Sequence, residues 1–159
     1  QLRAANCRDA VQAHIMSYDP DNIFAKILRG EMPAVVVHED AETLAFMDVM
    51  PQSPGHTLVI PKAPAENLFD LPPEAAAAVM RTVQRLAPAV REALQADGIM
   101  LCQYNGAAAG QTVFHFHMHI VPRYAGKSLG SHSSGMADHK TLQQDAERIK
   151  AALAANPQP

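Results

Sequence analysis

The sequence is poor in cysteine and has no long apolar run. It contains two cysteines, Cys7 and Cys102, whose spacing matches neither a disulfide framework nor a cysteine-based metal site. No stretch approaches the roughly 18 consecutive apolar residues of a membrane span, and the start lacks the basic-then-apolar pattern of a secretory signal. These absences favour a soluble protein of a reducing cytoplasm, with no membrane partner.

An excess of positive charge is also missing. Lys and Arg number 13 against 16 Asp and Glu, which gives a formal net charge of -3. A general nucleic-acid or anionic-membrane binder would instead carry clustered Lys and Arg, so we expect no nucleic-acid partner. A small anionic ligand needs only a local cradle. With 48% apolar and 18% charged residues, a chain of 159 residues suits one globular domain.

What the sequence does have is a row of alternating histidines. Within residues 110–123, read as an extended strand, successive side chains point to opposite faces. At roughly 3.3 Å per residue the outer two histidines would lie about 13 Å apart, so a flat strand cannot bring all three onto one metal. One face would carry His115, His117 and His119, and the other Phe114, Phe116, Met118 and Ile120.

The residues alone leave three explanations of this row. Two neighbouring histidines could bind a metal with a third ligand from elsewhere, or all three could be solvated. The third explanation rests on Gly110, Gln111 and Thr112, which offer backbone N–H groups and short polar side chains of the kind that hold a phosphate. Histidines beside an anion cradle favour transfer at phosphorus, because a neutral imidazole is nucleophilic near pH 7.

Hydrophobic periodicity predicts short strands interspersed with helices. Apolar residues at helical spacing after Asn22 predict a short helix that Gly30 stops, and a longer stripe predicts a helix from Pro73 that Gly98 ends. A terminal helix is expected to begin near Asp138. Strands are predicted over residues 35–39, 43–48, 56–61 and 99–104.

Several spaced landmarks give the chain a family resemblance. They are residues 22–27, 44–48, 54–62, 105–106 and the His-x-His-x-His run itself. In this order they resemble the histidine triad (HIT) superfamily, and in particular its Hint-like branch. The resemblance implies an α+β fold with a five-stranded antiparallel sheet, a long helix, a short N-terminal helix and a C-terminal helix, assembled as a homodimer whose two sheets are continuous.

The resemblance also suggests a division of the chain. Residues 16–124 would form the HIT domain, and residues 125–159 a variable loop with the C-terminal helix. Residues 1–15 are interpreted as an upstream extension or a stretch introduced by cloning, because residues 16–20 look like a more natural start.

The resemblance implies different roles for the four histidines. His117 would attack the α-phosphorus, and water or another acceptor would later resolve the nucleotidyl-imidazole. His115 would orient its partner, while His119 and His56 would contact phosphate and manage protons. Without the resemblance, a lone histidine such as His56 at the start of a strand is usually structural.

The resemblance also implies a set of nucleotide contacts. Asp48 would accept hydrogen bonds from the ribose hydroxyls, although an acidic residue at a strand end is more often part of a turn. Thr112 could also pass a proton to the leaving group. The oxygens of the transition state would be stabilised by Asn105, Gly110, Gln111 and Thr112, and the apolar wall around the base would include Ile23, Phe24, Ile27, Phe46, Val49, Leu58 and Val113.

No metal or other cofactor is expected. Many bacterial relatives carry a zinc bound by Cys-x-x-Cys and a further histidine, and those places read Asn22, Ala25 and Pro64 here. Because Ala and Pro have no ligand atom in their side chains and Asn does not replace a thiolate, the zinc is not predicted. A His-ligated metalloenzyme is kept only as a distant alternative.

The function implied is hydrolysis of a purine nucleoside phosphoramidate, AMP linked to an amine, through a covalent nucleotidyl-histidine. A dinucleoside polyphosphate hydrolase is the enzymatic alternative, since a Gln before the triad also occurs in that branch. The alternative of another class is a nucleotide-binding regulatory protein whose catalysis is incidental.

Overall fold

The computed structural model describes residues 17–130 and 135–157. The predicted extension at 1–15 lies outside these ranges, and the division into 16–124 and 125–159 stays a prediction. No helix within the described ranges is long and apolar enough to cross a membrane. The elements are α1 (Ile23–Leu28), β1 (Val36–Glu39), β2 (Thr43–Met47), β3 (Thr57–Pro61), α2 (Pro73–Ala93), β4 (Gly98–Cys102), a 3₁₀ turn (Ala107–Ala109), β5 (Met118–Arg123) and α3 (His139–Ala155).

The five strands form one antiparallel sheet in the order β1-β2-β3-β5-β4, which confirms the predicted α+β fold. The strand β5 lies inside the sheet, while β1 and β4 form its edges. His119 on β5 is opposite Leu58 of β3 and Cys102 of β4. Pairing on both sides fixes the backbone at this histidine.

Alternation along the inner strands builds two apolar layers. Ala45 and Val59 pack in a larger core with α2 and α3, whereas Phe46 and Leu58 join a second cluster with Phe24 of α1. The larger core also contains Phe116, Met118 and Ile120, so the predicted apolar face is confirmed for these three residues. Phe114 departs from it, because this side chain is half-buried and lines a cavity near α1.

The helix boundaries follow from local capping. The Asn22 side chain accepts a hydrogen bond from the N–H of Ala25 at the start of α1, and Gly30, with φ of +76°, lies just beyond its end. At α3 the Asp138 side chain accepts from the N–H of Thr141, as predicted for a helix that begins near Asp138. The strands β1, β2 and β3 match their predicted ranges to within one residue.

The prediction that Gly98 ends the long helix is wrong. Helix α2 ends at Ala93, and Gln95 then turns the chain with φ of 52°, so that Gly98 becomes the first residue of β4. The helix ends in a local cap, since the N–H of Gln95 donates to the carbonyl of Glu92 and the N–H of Ala96 to that of Arg91. The carbonyl of Leu94 also accepts a hydrogen bond from the Tyr124 hydroxyl at 2.7 Å. Strand β4 also stops at Cys102, two residues before its predicted end.

The histidine run is only partly a strand, which corrects the prediction of one extended segment over the triad. Pairing of β5 with β3 begins at Met118, and residues 113–115 form a bend. The reason is a different hydrogen bond, from the N–H of Phe116 to the carbonyl of Ala65 at 2.8 Å. His115 and His117 therefore lie in irregular backbone, and only His119 belongs to the sheet.

Gly55 should be intolerant of a side chain. Its φ is +84°, and an added Cβ would come 2.5 Å from the Leu94 side chain. Gly30 is a matched control, because its φ is +76° but a Cβ there meets nothing within 4 Å. We expect Gly30→Ala to lower the free energy of unfolding by about 1 kcal/mol, from backbone strain alone. Gly55→Ala should cost about 2–4 kcal/mol because overpacking is added.

Urea unfolding of the two variants and the parent protein measures this difference. Equal losses for the two substitutions would contradict the packing argument.

Candidate active site

His115 is a wholly buried, neutral imidazole. Its Nε2 lies 2.8 Å from the carbonyl of Pro61, and the Tyr18 hydroxyl lies 2.6 Å from its Nδ1. A carbonyl can only accept, so Nε2 carries the proton and Nδ1 accepts from Tyr18. Burial lowers the pKa of His115 from 6.5 to about 4; the Pro61 carbonyl opposes this shift and the nearby His117 adds to it.

His117 is held in the tautomer that a nucleophile needs. Its Nδ1 lies 2.7 Å from the backbone carbonyl of His115 and must donate, which leaves the lone pair on Nε2. The ring is 7% exposed and meets the edge of Phe24 at a centroid distance of 5.0 Å. The structure therefore places the lone pair of a neutral His117 on Nε2, and its predicted nucleophilic role stays a prediction.

His119 and His56 form a hydrogen-bonded pair. The N–H of Gln52 lies 3.1 Å from Nδ1 of His56 and donates to it, so a neutral His56 carries its proton on Nε2. That Nε2 lies 2.9 Å from Nδ1 of His119 and 3.4 Å from Oδ2 of Asp48. Because Nδ1 of His119 accepts, the proton of a neutral His119 is on Nε2, the other side of the ring.

The loop that holds His56 is itself held by the segment after β5. The carbonyl of Gln52 accepts from the N–H of Gly130 at 3.0 Å, and a Cβ added to Gly130 would lie 2.8 Å from that oxygen. The carbonyl of Val49 accepts from the N–H of Ala137 at 2.9 Å. Both contacts place the segment that follows β5 against the loop that precedes His56.

Asp48, His56 and His119 also have the spacing of a metal site, since one potential ligand atom from each lies within 4.8 Å of the others. The hydrogen bonds of His56 instead favour direct contact between the two imidazoles. A metal on Nε2 would displace its proton to Nδ1, where the N–H of Gln52 already points. Asp48 is almost buried, and its Oδ1 accepts from the N–H of Met50 at 2.8 Å. Its predicted contact with ribose stays a prediction.

Most residues predicted for the base wall lie together in the second apolar cluster, and their contact with a base stays a prediction. Phe24 and Phe46 meet edge to face with centroids 5.4 Å apart. Ile23 and Val49 lie outside it, with exposed fractions of 44% and 46%. Ile23 lines a cavity of about 370 Å³ that also contacts Thr112. The cluster brings together five of the seven predicted residues, namely Phe24, Ile27, Phe46, Leu58 and Val113.

The loop before the triad is stabilised by its own amide side chains. Gln111 is 3% exposed, and its Oε1 accepts from the N–H of Gly106 at 2.8 Å. Its Nε2 donates to the carbonyls of Glu66 and Val113 at 2.7 and 3.1 Å. The Asn105 amide exchanges hydrogen bonds with Gln103. In this structure the two amides fix the loop, and their predicted contacts with phosphate stay predictions.

Thr112 and Gly110 are the exposed members of the predicted cradle. Gly110 has φ of +101°, a conformation that favours glycine, and it follows the 3₁₀ turn. The backbone can therefore approach a ligand closely at this position.

Two tyrosines were missed by the sequence analysis. The Tyr18 hydroxyl contacts His115, and the Tyr104 ring meets the His119 ring edge to face at a centroid distance of 5.5 Å. Neither tyrosine belongs to a landmark of the resemblance. The sequence has just three tyrosines, and a buried phenol needs a hydrogen-bond partner. This was the only signal in the sequence that could have pointed to them.

Comparison with known proteins agrees with this geometry. A family model described as HIT domain matches residues 29–126. The chain belongs to the HIT family. Among its relatives in this family is Protein hit of Bacillus subtilis (strain 168), which is 39% identical over 133 residues, or 83% of this chain and 91% of that protein. Adenylylsulfatase HINT3 of Arabidopsis thaliana is 41% identical over 119 residues, or 71% of this chain and 60% of that protein.

Solved HIT structures share the fold. A Hit-like protein from Bartonella henselae, described as involved in cell-cycle regulation and as having an unknown ligand, gives a TM-score of 0.81 at 48% identity, covering 86% of this chain and 99% of that one. A Zn-bound histidine triad family protein from Mycobacterium smegmatis gives 0.76 at 40% identity, covering 85% and 94%. The resemblance to the HIT superfamily is confirmed, and HIT proteins are typically nucleotidyl hydrolases.

The buried neutral state of His115 should make the stability of this HIT protein depend on pH. In the unfolded chain His115 takes up a proton near pH 6.5, whereas the folded protein resists protonation until about pH 4. The stabilisation is therefore complete above pH 6.5 and is lost as the pH falls to about 4, a total of about 3 kcal/mol.

We expect His115→Gln to remove this part of the pH dependence. Urea unfolding at half-unit steps from pH 7 to pH 4 should show a shallower loss of stability in the variant than in the parent protein. Parallel curves would show that His115 titrates normally in the folded state.

Proposed function

We propose that this protein hydrolyses purine nucleoside phosphoramidates of the AMP-amine type through a nucleotidyl intermediate on His117. The observation that carries the proposal is the hydrogen bond from Nδ1 of His117 to the carbonyl of His115 at 2.7 Å, which leaves the lone pair on Nε2. The apolar cluster around Phe24 and Phe46 lies directly beside this ring and supports binding of a flat base. Two further imidazoles supply proton transfer.

The proposed reaction consists of two displacements. In the first, Nε2 of His117 forms a bond to the α-phosphorus while the phosphorus–nitrogen bond to the amine breaks, and the amine takes a proton. In the second, a water oxygen attacks the same phosphorus, the bond to His117 breaks and AMP leaves. The carbonyl of His115 stabilises the positive charge that develops on the His117 ring, because the bond from Nδ1 then starts from a charged donor.

Proton transfer is proposed for the pair of His56 and His119. The deduced tautomers leave a proton on Nε2 of His119, on the side away from His56. That proton, or the hydroxyl proton of Thr112, would pass to the leaving amine in the first displacement. The proton released by water would return to the same group in the second.

Cleavage of an adenylyl sulfate is the second candidate activity. It is favoured by the relative named Adenylylsulfatase HINT3, at 41% identity. The nucleotide half and the nucleophile would be the same, with sulfate in place of the amine. A dinucleoside polyphosphate hydrolase and a nucleotide-binding regulator are tested by the same experiment.

Incubation with adenosine phosphoramidate should release AMP, including in the presence of a chelator. His117→Ala should reduce turnover by about a thousandfold or more because the nucleophile is removed. The control is His139→Ala, which changes an exposed histidine at the start of α3 and should keep full activity.

A substrate panel decides between the candidate functions. Adenylyl sulfate, acyl-adenylate and diadenosine polyphosphate are compared with the phosphoramidate by kcat/KM. A higher value for one of these would reassign the leaving group and keep the mechanism. AMP binding without turnover of any substrate would favour the regulatory protein, and equal turnover by His117→Ala would refute the nucleophile.

We further propose a homodimer that joins two sheets through β4. This strand is an edge of the sheet, and its Leu101 is 44% exposed, as expected for an apolar side chain covered by a second copy.

Leu101→Glu should shift the protein towards the monomer in sedimentation velocity because it would bury a charge at the contact. The control Met136→Glu changes a side chain that is 76% exposed and should leave the dimer intact. A monomeric parent protein would refute the proposal.

A further inference from the structure

The short segment before α1 contacts the triad through Tyr18. The hydroxyl lies 2.6 Å from Nδ1 of His115, and the two rings meet edge to face with centroids 5.7 Å apart. Because Nε2 of His115 donates to the Pro61 carbonyl, Nδ1 has only a lone pair to offer and Tyr18 must be the donor. Tyr18 and Pro61 thus hold opposite sides of one imidazole.

The position of His115 matters because its backbone carbonyl orients the nucleophile. That carbonyl accepts from Nδ1 of His117 at 2.7 Å. The backbone here receives no support from the sheet, since β5 begins at Met118 and the N–H of Phe116 bonds to Ala65. The contacts of the His115 side chain are therefore among the few that keep its carbonyl in place.

Tyr18 is itself firmly attached to the fold. Its neighbour Asp19 accepts, through its carbonyl, from the side chain of Asn22 at 2.7 Å, and Arg29 donates to the carbonyl of Pro20 at 2.7 Å. Asn22 also caps α1, whose Phe24 touches the His117 ring. The same short segment therefore contacts His115 through Tyr18 and His117 through Phe24.

We propose that Tyr18 is a positioning residue, which fixes the orientation of His115 and thereby aims His117 at the phosphorus. The proposal rests on the proposed function for its consequence in turnover. The arrangement of the two imidazoles can be measured without any substrate.

The test compares Tyr18→Phe with Tyr124→Phe. Both substitutions remove one hydroxyl and keep the ring, and the Tyr124 hydroxyl donates to the carbonyl of Leu94 at 2.7 Å. We expect Tyr18→Phe to lower kcat about fivefold, the size of one neutral hydrogen bond, with little change in KM. Tyr124→Phe should lose thermal stability and keep kcat.

A double-mutant comparison separates positioning from a general loss of structure. If Tyr18 acts through His115, adding Tyr18→Phe to His115→Gln should reduce kcat no further. Full additivity of the two substitutions, or an unchanged kcat in Tyr18→Phe, would overturn the proposal.

Nitrogen-15 NMR of the histidine rings is the arm of the test that needs no turnover. In the parent protein His115 should show the Nε2–H tautomer, and Tyr18→Phe should shift the Nδ1 resonance of His115 and the Nδ1–H resonance of His117. Unchanged resonances of both rings would overturn the proposal. If the parent protein cleaves none of the substrates, the proposed function fails, and this arm alone decides whether Tyr18 positions the triad.

Discussion

The hydrogen bond from His117 to the carbonyl of His115 is the interaction on which the rest of the site depends. It decides which nitrogen of His117 holds the lone pair, and so which side of the ring would attack in the proposed reaction. Burial keeps His115 neutral, so no like charge opposes the positive charge that His117 gains in the proposed reaction. The surrounding structure maintains this one bond: Pro61 and Tyr18 hold the His115 ring, while Phe24 packs on His117.

The parts of the fold that were predicted correctly depend on local chemistry. Asn22 and Asp138 cap helices through their own side chains, and strand alternation separates Met118 and Ile120 from His119. The end of the long helix was missed because Gln95, and not a glycine, adopts the positive φ that closes it. Leu94 is buried and its carbonyl is bound by Tyr124, contacts that helix propensities do not contain.

The site also has some features that the sequence predicts and others that only the folded structure shows. The four histidines were predicted from the spaced landmarks, but their tautomers depend on backbone groups that no motif specifies, such as the Gln52 N–H at His56. Tyr18 is 97 positions away from His115 in the sequence, so its contact appears only after folding. Gln111 occupies its expected place in the loop, whereas the direction of its amide towards Glu66 and Val113 required the structure.

The peptide groups of Gln52 connect His56 with the segment after β5. The N–H sets the protonated nitrogen of His56, and the carbonyl accepts from Gly130 in the segment after β5. A substitution that moves this segment therefore also moves the residue whose N–H donates to His56. The hydrogen bonding of His56 can thus change through positions far along the chain, with every histidine of the triad left untouched.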